Sequence, residues 1–479
     1  MPHGDRPVFR ARNVEYEMAD RTRAIDCGGI GAFHALARNT GLVGAIDDAL
    51  HLLKIHLPYH ESDHVLNIAY NTLTGGTCLD DIELRRNDAT YMDALGAERI
   101  PDPTTAGDFT RRFTEQDVTA LMEAVNGVRP RLWRKGLSKG QRREGILDMD
   151  GTLLGTTGEC KQGMDMSYKG VWGYHPLMIS LANTMEPLYL VNRPGNRPSH
   201  EGCVPWIDRA VTLVRGSFDG VCLRGDTDFA LTREFDRWTQ DGVRFVFGLD
   251  AMKNLVGLAE GLARAAWRPL KRRERLTLTG DSRRRPRNAK QRVVEERGYE
   301  NIELEAEHVA EFAYQPGRCG RPYRVVALRK DLSVKRGQQW LFDETRYFFY
   351  ITNRQDLSAP DVVFFANERC DQENLIEQLK NGLNALRMPV GDLISNWAYM
   401  VMASLAWTLK AWYALTARRT EQRTALLRME FRGFLNWIVR LPCQIVRTGR
   451  RIVYRILGYN EWTGTFLDTF RRIRKLRFT

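Results

Sequence analysis

Between Gly145 and Asp250 the chain alternates between strand-like and helix-like patterns, and this alternation restricts the fold more than any other feature. Three strand patterns come first, and the first of them begins with Gly-Ile-Leu-Asp-Met-Asp-Gly-Thr-Leu-Leu at Gly145. Helix and strand patterns then alternate, which gives the order β-β-β-α-β-α-β. This order is typical of an α/β fold in which helices cover a mixed sheet.

Different patterns flank this sheet on both sides. With 479 residues, the chain is long enough for two or three domains. A run dense in Arg and Lys at 273–292 precedes strand-like sequence rich in aromatic residues. The sequence therefore predicts five segments: a helical N-terminal domain (1–140), the first part of an α/β core (141–252), a β-rich basic insertion (253–345), the rest of the core (346–417) and a basic helical C-terminal region (418–479).

The charge balance indicates the kind of partner. The chain has 71 Lys and Arg against 59 Asp and Glu, a formal net charge of +12. Such a surplus favours a polyanionic partner such as nucleic acid. The eight cysteines are scattered without metal-ligand spacing, as expected in a reducing compartment.

Neither the N-terminus nor the longest apolar segment indicates a membrane protein. The first residues lack the apolar stretch of a signal peptide. The apolar segment at 396–415 is interrupted by Lys410, so we expect a buried core helix there. We therefore expect a cytoplasmic protein with no membrane partner.

Two pairs of acidic residues stand at the ends of predicted strands. Asp148 and Asp150 alternate with apolar residues, so their side chains point to the same face of the first strand. Asp226 and Asp228 follow a strand that ends in Cys-Leu-Arg-Gly. Carboxylates at strand ends of an α/β sheet make an oxygen-rich pocket suited to Mg²⁺ or Mn²⁺.

A third acidic residue lies on a predicted helix near residue 370. Arg369, Glu373 and Lys380 have the spacing i, i+4 and i+11. At about 100° per residue, the three lie within roughly 40° of one another around the helix. The helix therefore predicts a carboxylate flanked by two cations on one face.

These motifs resemble the bacterial insertion-sequence DDE transposases, a cut-and-paste group with the signature Tyr-x₂-Arg-x₃-Glu-x₆-Lys. Arg369, Glu373 and Lys380 match the signature in type and spacing, whereas Ala366 occupies the tyrosine position. Asp150, in Asp-Gly-Thr, resembles the first catalytic aspartate of the group. Asp226 resembles the second.

For the helical N-terminal domain we expect DNA binding, with a plain helical scaffold as the alternative, and the basic helical tail predicts contacts with DNA or a second subunit. The resemblance implies an RNase H-like mixed-sheet core with a β-rich insertion. It implies that Asp150, Asp226 and Glu373 hold two Mg²⁺ or Mn²⁺ ions for DNA cleavage and strand transfer. Arg369 and Lys380 would hold phosphates. The implied partners are double-stranded DNA, as transposon ends and target, and a second copy of the chain, in a bacterial cytoplasm close to the nucleoid.

Three aromatic residues of the insertion are candidates for contact with an unpaired base at a cleaved DNA end. They are Trp267, Trp340 and Phe342. Aromatic side chains stack on unpaired bases without regard to sequence. For each of them, a place in the core is the alternative.

Two other functions fit parts of the sequence. The strand with Asp148 and Asp150 also matches the Asp-x-Asp-Gly-Thr motif of haloacid-dehalogenase-type phosphatases. In that case Asp148 would be the nucleophile and Asp150 the general acid. The second alternative is a DNA-binding transposase relic without catalytic activity.

Overall fold

The computed structural model describes residues 15–16, 22–56, 58–272, 297, 300–336, 339–449 and 451–476. The basic run at 273–292 lies outside the described residues. The α-helices are α1 (Ile30–Asn39), α2 (Leu42–Ala49), α3 (Glu61–Leu73), α4 (Ile82–Arg86), α5 (Ala89–Leu95), α6 (Pro103–Thr110), α7 (Glu115–Gly136), α8 (Val204–Arg215), α9 (Phe235–Gln240), α10 (Lys253–Glu260), α11 (Ala359–Asn367), α12 (Cys370–Glu377), α13 (Leu393–Thr416), α14 (Thr420–Arg428), α15 (Phe431–Phe434) and α16 (Thr463–Ile473).

The strands form three sheets. They are β1 (Ala24–Ile25), β2 (Gly145–Gly151), β3 (Leu154–Gly155), β4 (Asp165–Met166), β5 (Trp172–Tyr174), β6 (Leu177–Leu181), β7 (Glu186–Val191), β8 (Val221–Gly225), β9 (Arg244–Leu249), β10 (Arg268–Pro269), β11 (Glu300–Tyr314), β12 (Tyr323–Arg336), β13 (Gln339–Thr352), β14 (Cys443–Thr448) and β15 (Arg451–Ile456). The largest sheet has nine strands in the order β10-β11-β12-β13-β9-β8-β2-β6-β7.

The centre of the large sheet is mixed, as the sequence predicts. Strand β8 pairs in parallel with both β2 and β9, while β2 pairs antiparallel with β6. The order β2, β6, β7, α8, β8, α9, β9 along the chain is the predicted β-β-β-α-β-α-β order. Parallel pairing of β2 and β8 brings their C-terminal ends to the same edge of the sheet.

Three long strands extend the same sheet beyond β9. Strands β11, β12 and β13 pair antiparallel along their length, and β13 joins β9 at Phe349–Thr352. We call these three strands the β-arm. Since they belong to the nine-stranded sheet, this part of the chain continues the core sheet and does not form a sheet of its own.

Helix α13 is the apolar segment predicted to be a buried core helix, and it is one. Nearly all of its 24 residues are buried. It packs against α3, α7, α14 and β7. None of the described helices has the combination of length and apolar character that crossing a membrane requires.

A buried polar cluster ties the N-terminal helices to the sheet. Glu186 on β7 is fully buried and accepts hydrogen bonds from the indole nitrogens of Trp133 (2.7 Å) and Trp412 (2.8 Å). The Arg129 guanidinium pairs with the same carboxylate. Because a buried charge needs partners, this network fixes α7, β7 and α13 relative to one another.

The C-terminal region differs from the prediction that it is helical. Its helices α14, α15 and α16 are interrupted by the strands β14 and β15. Strand β14 pairs with β1, so that Ile25 lies opposite Cys443. Cys443 and Ile445 are buried while the residues between and after them are more exposed, the period of two of a half-buried strand. The pairing partner lies more than 400 residues earlier, so local patterns could not indicate it.

Candidate active site

The first acidic residue lies at the C-terminal end of β2. Asp150 is mostly buried, with 15% of its side chain exposed. The next residue, Gly151, lies so close to the His175 ring that an added Cβ would be 2.7 Å from its Nε2 atom. A side chain here would have to displace His175 and Ser199, which favours glycine directly after the acid.

The second acidic residue follows β8 on the neighbouring strand. Asp226 accepts a hydrogen bond from the backbone nitrogen of Asp228 at 3.1 Å, which holds its carboxylate at the start of a short 3₁₀ turn. Asp228 contributes only its backbone nitrogen to this hydrogen bond, and its side chain is exposed. Of the predicted acidic pair, Asp226 is thus the residue that faces Asp150 across the two strands.

One guanidinium brings the three predicted acids together. The Nη1 atom of Arg369 lies 3.1 Å from Asp150 Oδ2 and 3.8 Å from Asp226 Oδ2. Its Nη2 atom lies 2.9 Å from Glu373 Oε1, one turn along α12. Residues that are far apart in the sequence therefore converge on a single cationic group.

Burial and mutual repulsion perturb the acids. Burial raises the pKa of Asp150 to about 7, Arg369 opposes the rise, and the carboxylates of Asp226 and Glu373 add to it. Burial also raises the pKa of Asp226, again against the effect of Arg369. A raised pKa means that the charged form of the carboxylate is disfavoured in this site. A cation placed among the acids stabilises that charged form.

Lys380 approaches the cluster from the segment directly after α12, and it interacts electrostatically with Asp150. The chain widens into a π-helical turn at Gln378–Gly382 directly after α12. The Nζ atom of Lys380 donates to the carbonyl oxygen of Leu153 at 2.9 Å, just beyond the end of β2. Lys380 therefore lies beside the loop that follows Asp150, whereas Arg369 and Glu373 face the acids directly.

Asp148 has a different environment from Asp150, although both point to the same face of β2. Its side chain is 1% exposed and pairs with Arg224, which is 2% exposed. The Arg224 Nε and Nη2 atoms donate to the two carboxylate oxygens at 2.6 and 2.8 Å. With both oxygens occupied and no access to solvent, Asp148 is not placed to act as a nucleophile.

The three aromatic candidates separate into one packed and two exposed residues. Trp267 is partly buried, with the Arg329 guanidinium 5.0 Å from the ring centroid and Tyr347 beside it. Trp340 and Phe342, on β13 of the β-arm, are 56% and 51% exposed. Only these two present open ring faces.

Arg224 is the residue of this region that the sequence analysis missed. It precedes Asp226 by two residues, as Asp148 precedes Asp150, and the two are direct neighbours in the parallel pairing of β8 with β2. The signal was a basic residue at a strand position whose neighbours are apolar. Such a residue, once buried, needs a buried acidic partner.

The amino-acid pattern of the whole chain matches one known family. The family described as transposase DDE domain group 1 matches residues 9–478. The chain belongs to this family of DDE transposases. No curated protein sequence matches it. Among solved structures, a piggyBac transposase in a cryo-EM synaptic complex with hairpin DNA is similar, with a TM-score of 0.36, 11% identity, and coverage of 87% of this chain and 82% of that one.

Membership of the family makes this chain a transposase, an enzyme of DNA transposition. It confirms the resemblance on which the sequence analysis relied. The phosphatase alternative receives no support, since its nucleophile would be Asp148, whose carboxylate is enclosed by Arg224. Nothing observed supports the relic without activity either.

The family generally uses divalent metal ions. Three carboxylates that point at one cation are the hard, anionic oxygen donors that Mg²⁺ and Mn²⁺ prefer. Among the described residues, no three acidic, His or Cys side chains are close enough together to hold an ion as they stand. The donor chemistry fits, and the Arg369 guanidinium occupies the space between the donors.

Proposed function

We propose that Asp150, Asp226 and Glu373 are the catalytic acids of this transposase and that they hold two divalent cations, Mg²⁺ or Mn²⁺. The observation that carries the proposal is the convergence of the three carboxylates on the Arg369 guanidinium. The raised pKa of Asp150 supports it, because acids crowded in this way have a strong tendency to take up a cation.

The chemistry is cleavage and joining of DNA at phosphorus. Divalent ions held by these acids would supply Lewis-acid activation for an in-line displacement at phosphorus. The chain contributes the rigid placement of the ligands: Asp150 and Asp226 stand at the ends of neighbouring sheet strands, and Glu373 stands on α12 above them. Such rigid elements hold ligands more accurately than loops do.

Arg369 has two roles in this proposal. In the free protein it neutralises the acids, and when the cations are bound it turns to a phosphate of the scissile strand. A guanidinium suits both roles, because its planar fork binds carboxylate and phosphate in the same geometry. Lys380 would contribute a point charge to a neighbouring phosphate from its place beside Leu153.

The DNA substrate is double-stranded, as transposon ends and as target. The net charge of +12 supports a long contact with phosphates. We assign DNA binding to the N-terminal region at 1–140 and further DNA or subunit contacts to the basic region at 418–479. The exposed rings of Trp340 and Phe342 would stack on an unpaired base at the cleaved end.

A homodimer close to the bacterial nucleoid completes the proposal. Each chain carries one set of three acids, and transposition must process two ends of the element. Two copies that each hold one end would supply one active site per end.

The experiment is the replacement Glu373→Gln in the full chain, assayed on DNA that carries the terminal inverted repeats flanking the gene. We expect loss of Mg²⁺-dependent cleavage and joining, with DNA binding retained. The matched control is Glu377→Gln, an exposed acid one turn further along α12 that accepts a hydrogen bond from Asn381. Cleavage that survives Glu373→Gln would contradict the assignment of the triad.

A further inference from the structure

A buried ion pair lies directly beneath the catalytic acids on the same face of the sheet. Asp148 and Arg224 are direct neighbours in the parallel pairing of β2 with β8. Asp150 and Asp226 follow them by two residues, so their side chains point to the same side of the two strands. The ion pair therefore joins the two strands directly next to the two acids.

The Arg224 guanidinium also reaches the segment that carries the third acid. Its Nη1 atom donates to the carbonyl oxygen of Phe365 at 2.8 Å and lies 3.3 Å from Glu368 Oε2. The Phe365 ring packs against it, with the centroid 5.0 Å away. These contacts hold the corner between α11 and α12, directly before Arg369 and one turn before Glu373.

We propose that Arg224 is a positioning residue, which sets the distances among the three catalytic acids by binding β2, β8 and the corner between α11 and α12 with one side chain. The inference rests on the triad assigned above. Each bonded segment carries one acid close to the bond: Asp150 after Asp148, Asp226 after Arg224, and Glu373 after the corner.

Arginine is required here by the number and direction of the bonds. The guanidinium has five N–H donors in a rigid plane, and here they point at two oxygens of Asp148 and at two acceptors of the corner. A lysine has one nitrogen and no fixed plane, so it could pair with Asp148 or bind the corner but could not hold both in a defined geometry.

A simple stabilising role is the alternative, and general energetics argue against it. Buried ion pairs are weak sources of stability, because desolvation offsets much of the attraction. Apolar pairs of similar volume often replace them without loss of stability. An ion pair with a further backbone bond is better suited to fixing a geometry than to stabilising a core.

The chain offers a matched control in a second ion pair of similar burial. The Arg129 and Glu186 side chains are 3% and 0% exposed, against 2% and 1% for Arg224 and Asp148. Arg129 donates to Asn126, Pro187 and Thr408, and not to the segments that carry the acids. Arg129→Lys therefore tests the loss of a buried arginine without a change at the site.

The experiment compares Arg224→Lys with Arg129→Lys in the full-length protein without DNA. Mn²⁺ affinity is measured by electron paramagnetic resonance, and Tm by circular dichroism. We expect both variants to lower Tm to a similar extent, and only Arg224→Lys to weaken Mn²⁺ binding, by about tenfold or more, as loss of an outer support does at metal sites. The Mn²⁺ concentration for half-maximal DNA cleavage should rise in the same variant.

A double variant keeps the test decisive if Arg224→Lys does not fold. Asp148→Leu with Arg224→Met removes both charges together, so neither is left unpaired in the core. We expect this protein to fold and to have lost Mn²⁺ affinity. Affinity within twofold of the wild type in either variant, or an equal loss in Arg129→Lys, would overturn the positioning role. Failure of the triad assignment has a different signature, because the Glu373→Gln protein would then bind Mn²⁺ as tightly as the wild type.

Discussion

The Arg369 Nη1 atom lies 3.1 Å from Asp150 Oδ2, and the Nη2 atom of the same guanidinium lies 2.9 Å from Glu373 Oε1. A positive charge thus occupies the space between acids that, in the proposed function, hold divalent cations. Any cation that enters has to displace it. This relationship links the resting structure to the chemistry and leads to the first prediction.

Arg369→Gln should strengthen metal binding while it weakens catalysis. Removing a unit charge a few ångströms from the acids should raise Mn²⁺ affinity of the free protein by roughly tenfold. DNA joining should fall, because the proposed phosphate contact is lost. Isothermal titration with Mn²⁺ and a strand-joining assay measure the two effects. Arg209→Gln, in an exposed pair with Glu123, is the control and should change neither.

The wild-type protein should not hydrolyse a small phosphomonoester such as p-nitrophenyl phosphate. The reason is that Asp148 is enclosed by Arg224 and cannot attack a substrate. Asp148→Asn should instead lower the free energy of unfolding by about 3 kcal/mol, because Arg224 loses its charged partner in the core. Urea denaturation measures this, with the exposed Asp228→Asn as a control expected to stay within about 0.5 kcal/mol. Turnover by the wild type that disappears in Asp148→Asn would restore the phosphatase alternative.

Glu186→Ala should destabilise the whole protein strongly. The change leaves Arg129 and the indole nitrogens of Trp133 and Trp412 without their acceptor in a fully buried site. We expect a loss of about 3–5 kcal/mol in the free energy of unfolding, the range for a broken buried pair. Glu201→Ala, from an exposed pair with Arg197, should cost less than about 1 kcal/mol. A similarly small loss of unfolding free energy in Glu186→Ala and Glu201→Ala would show that the buried cluster does not hold α7 against the sheet.

Lys410 should make stability depend on pH in the alkaline range. Burial lowers its pKa from 10.5 to about 7. The unfolded chain therefore binds more protons between these values, so the stability of the folded state rises with pH from 7 towards 10.5. Compared with Lys410→Met, the wild type should gain about 2 kcal/mol in unfolding free energy between pH 7 and pH 9. Urea denaturation of both proteins at several pH values checks this, and a constant difference would contradict it.

Trp340→Ala should weaken binding to DNA ends that carry an unpaired base. The ring is 56% exposed on the β-arm, and loss of a base–aromatic stack costs about 1–3 kcal/mol. Binding to blunt duplex of the same sequence should change little, as measured by fluorescence anisotropy. Tyr168→Ala, at an exposed aromatic ring to which no DNA contact is assigned, is the control. Equal loss on both DNA forms would assign Trp340 to a general contact and not to a stack.

Local patterns were sufficient for the core elements and for the chemical type of the site. The strand β2, the strand β8 and their acids were predicted because alternation of apolar residues is a local property with a period of two. The π-helical turn at Gln378–Gly382, which changes the angular spacing along the helix, was not predicted by the same pattern. Local patterns also did not distinguish Trp267 from Trp340, because exposure depends on neighbours from other strands.

By itself, the sequence determined the core elements between Gly145 and Asp250 and the mixed character of the large sheet, and it indicated three acids and an arginine that match a transposase motif. Only the tertiary structure decided which charges meet. Arg224 and Asp148 are 76 residues apart, and Arg369 and Asp150 are 219 residues apart. Backbone preference is set by near neighbours along the chain, whereas the pairing of buried charges depends on how strands and helices pack, and a charge that is buried must find whichever partner the packing supplies.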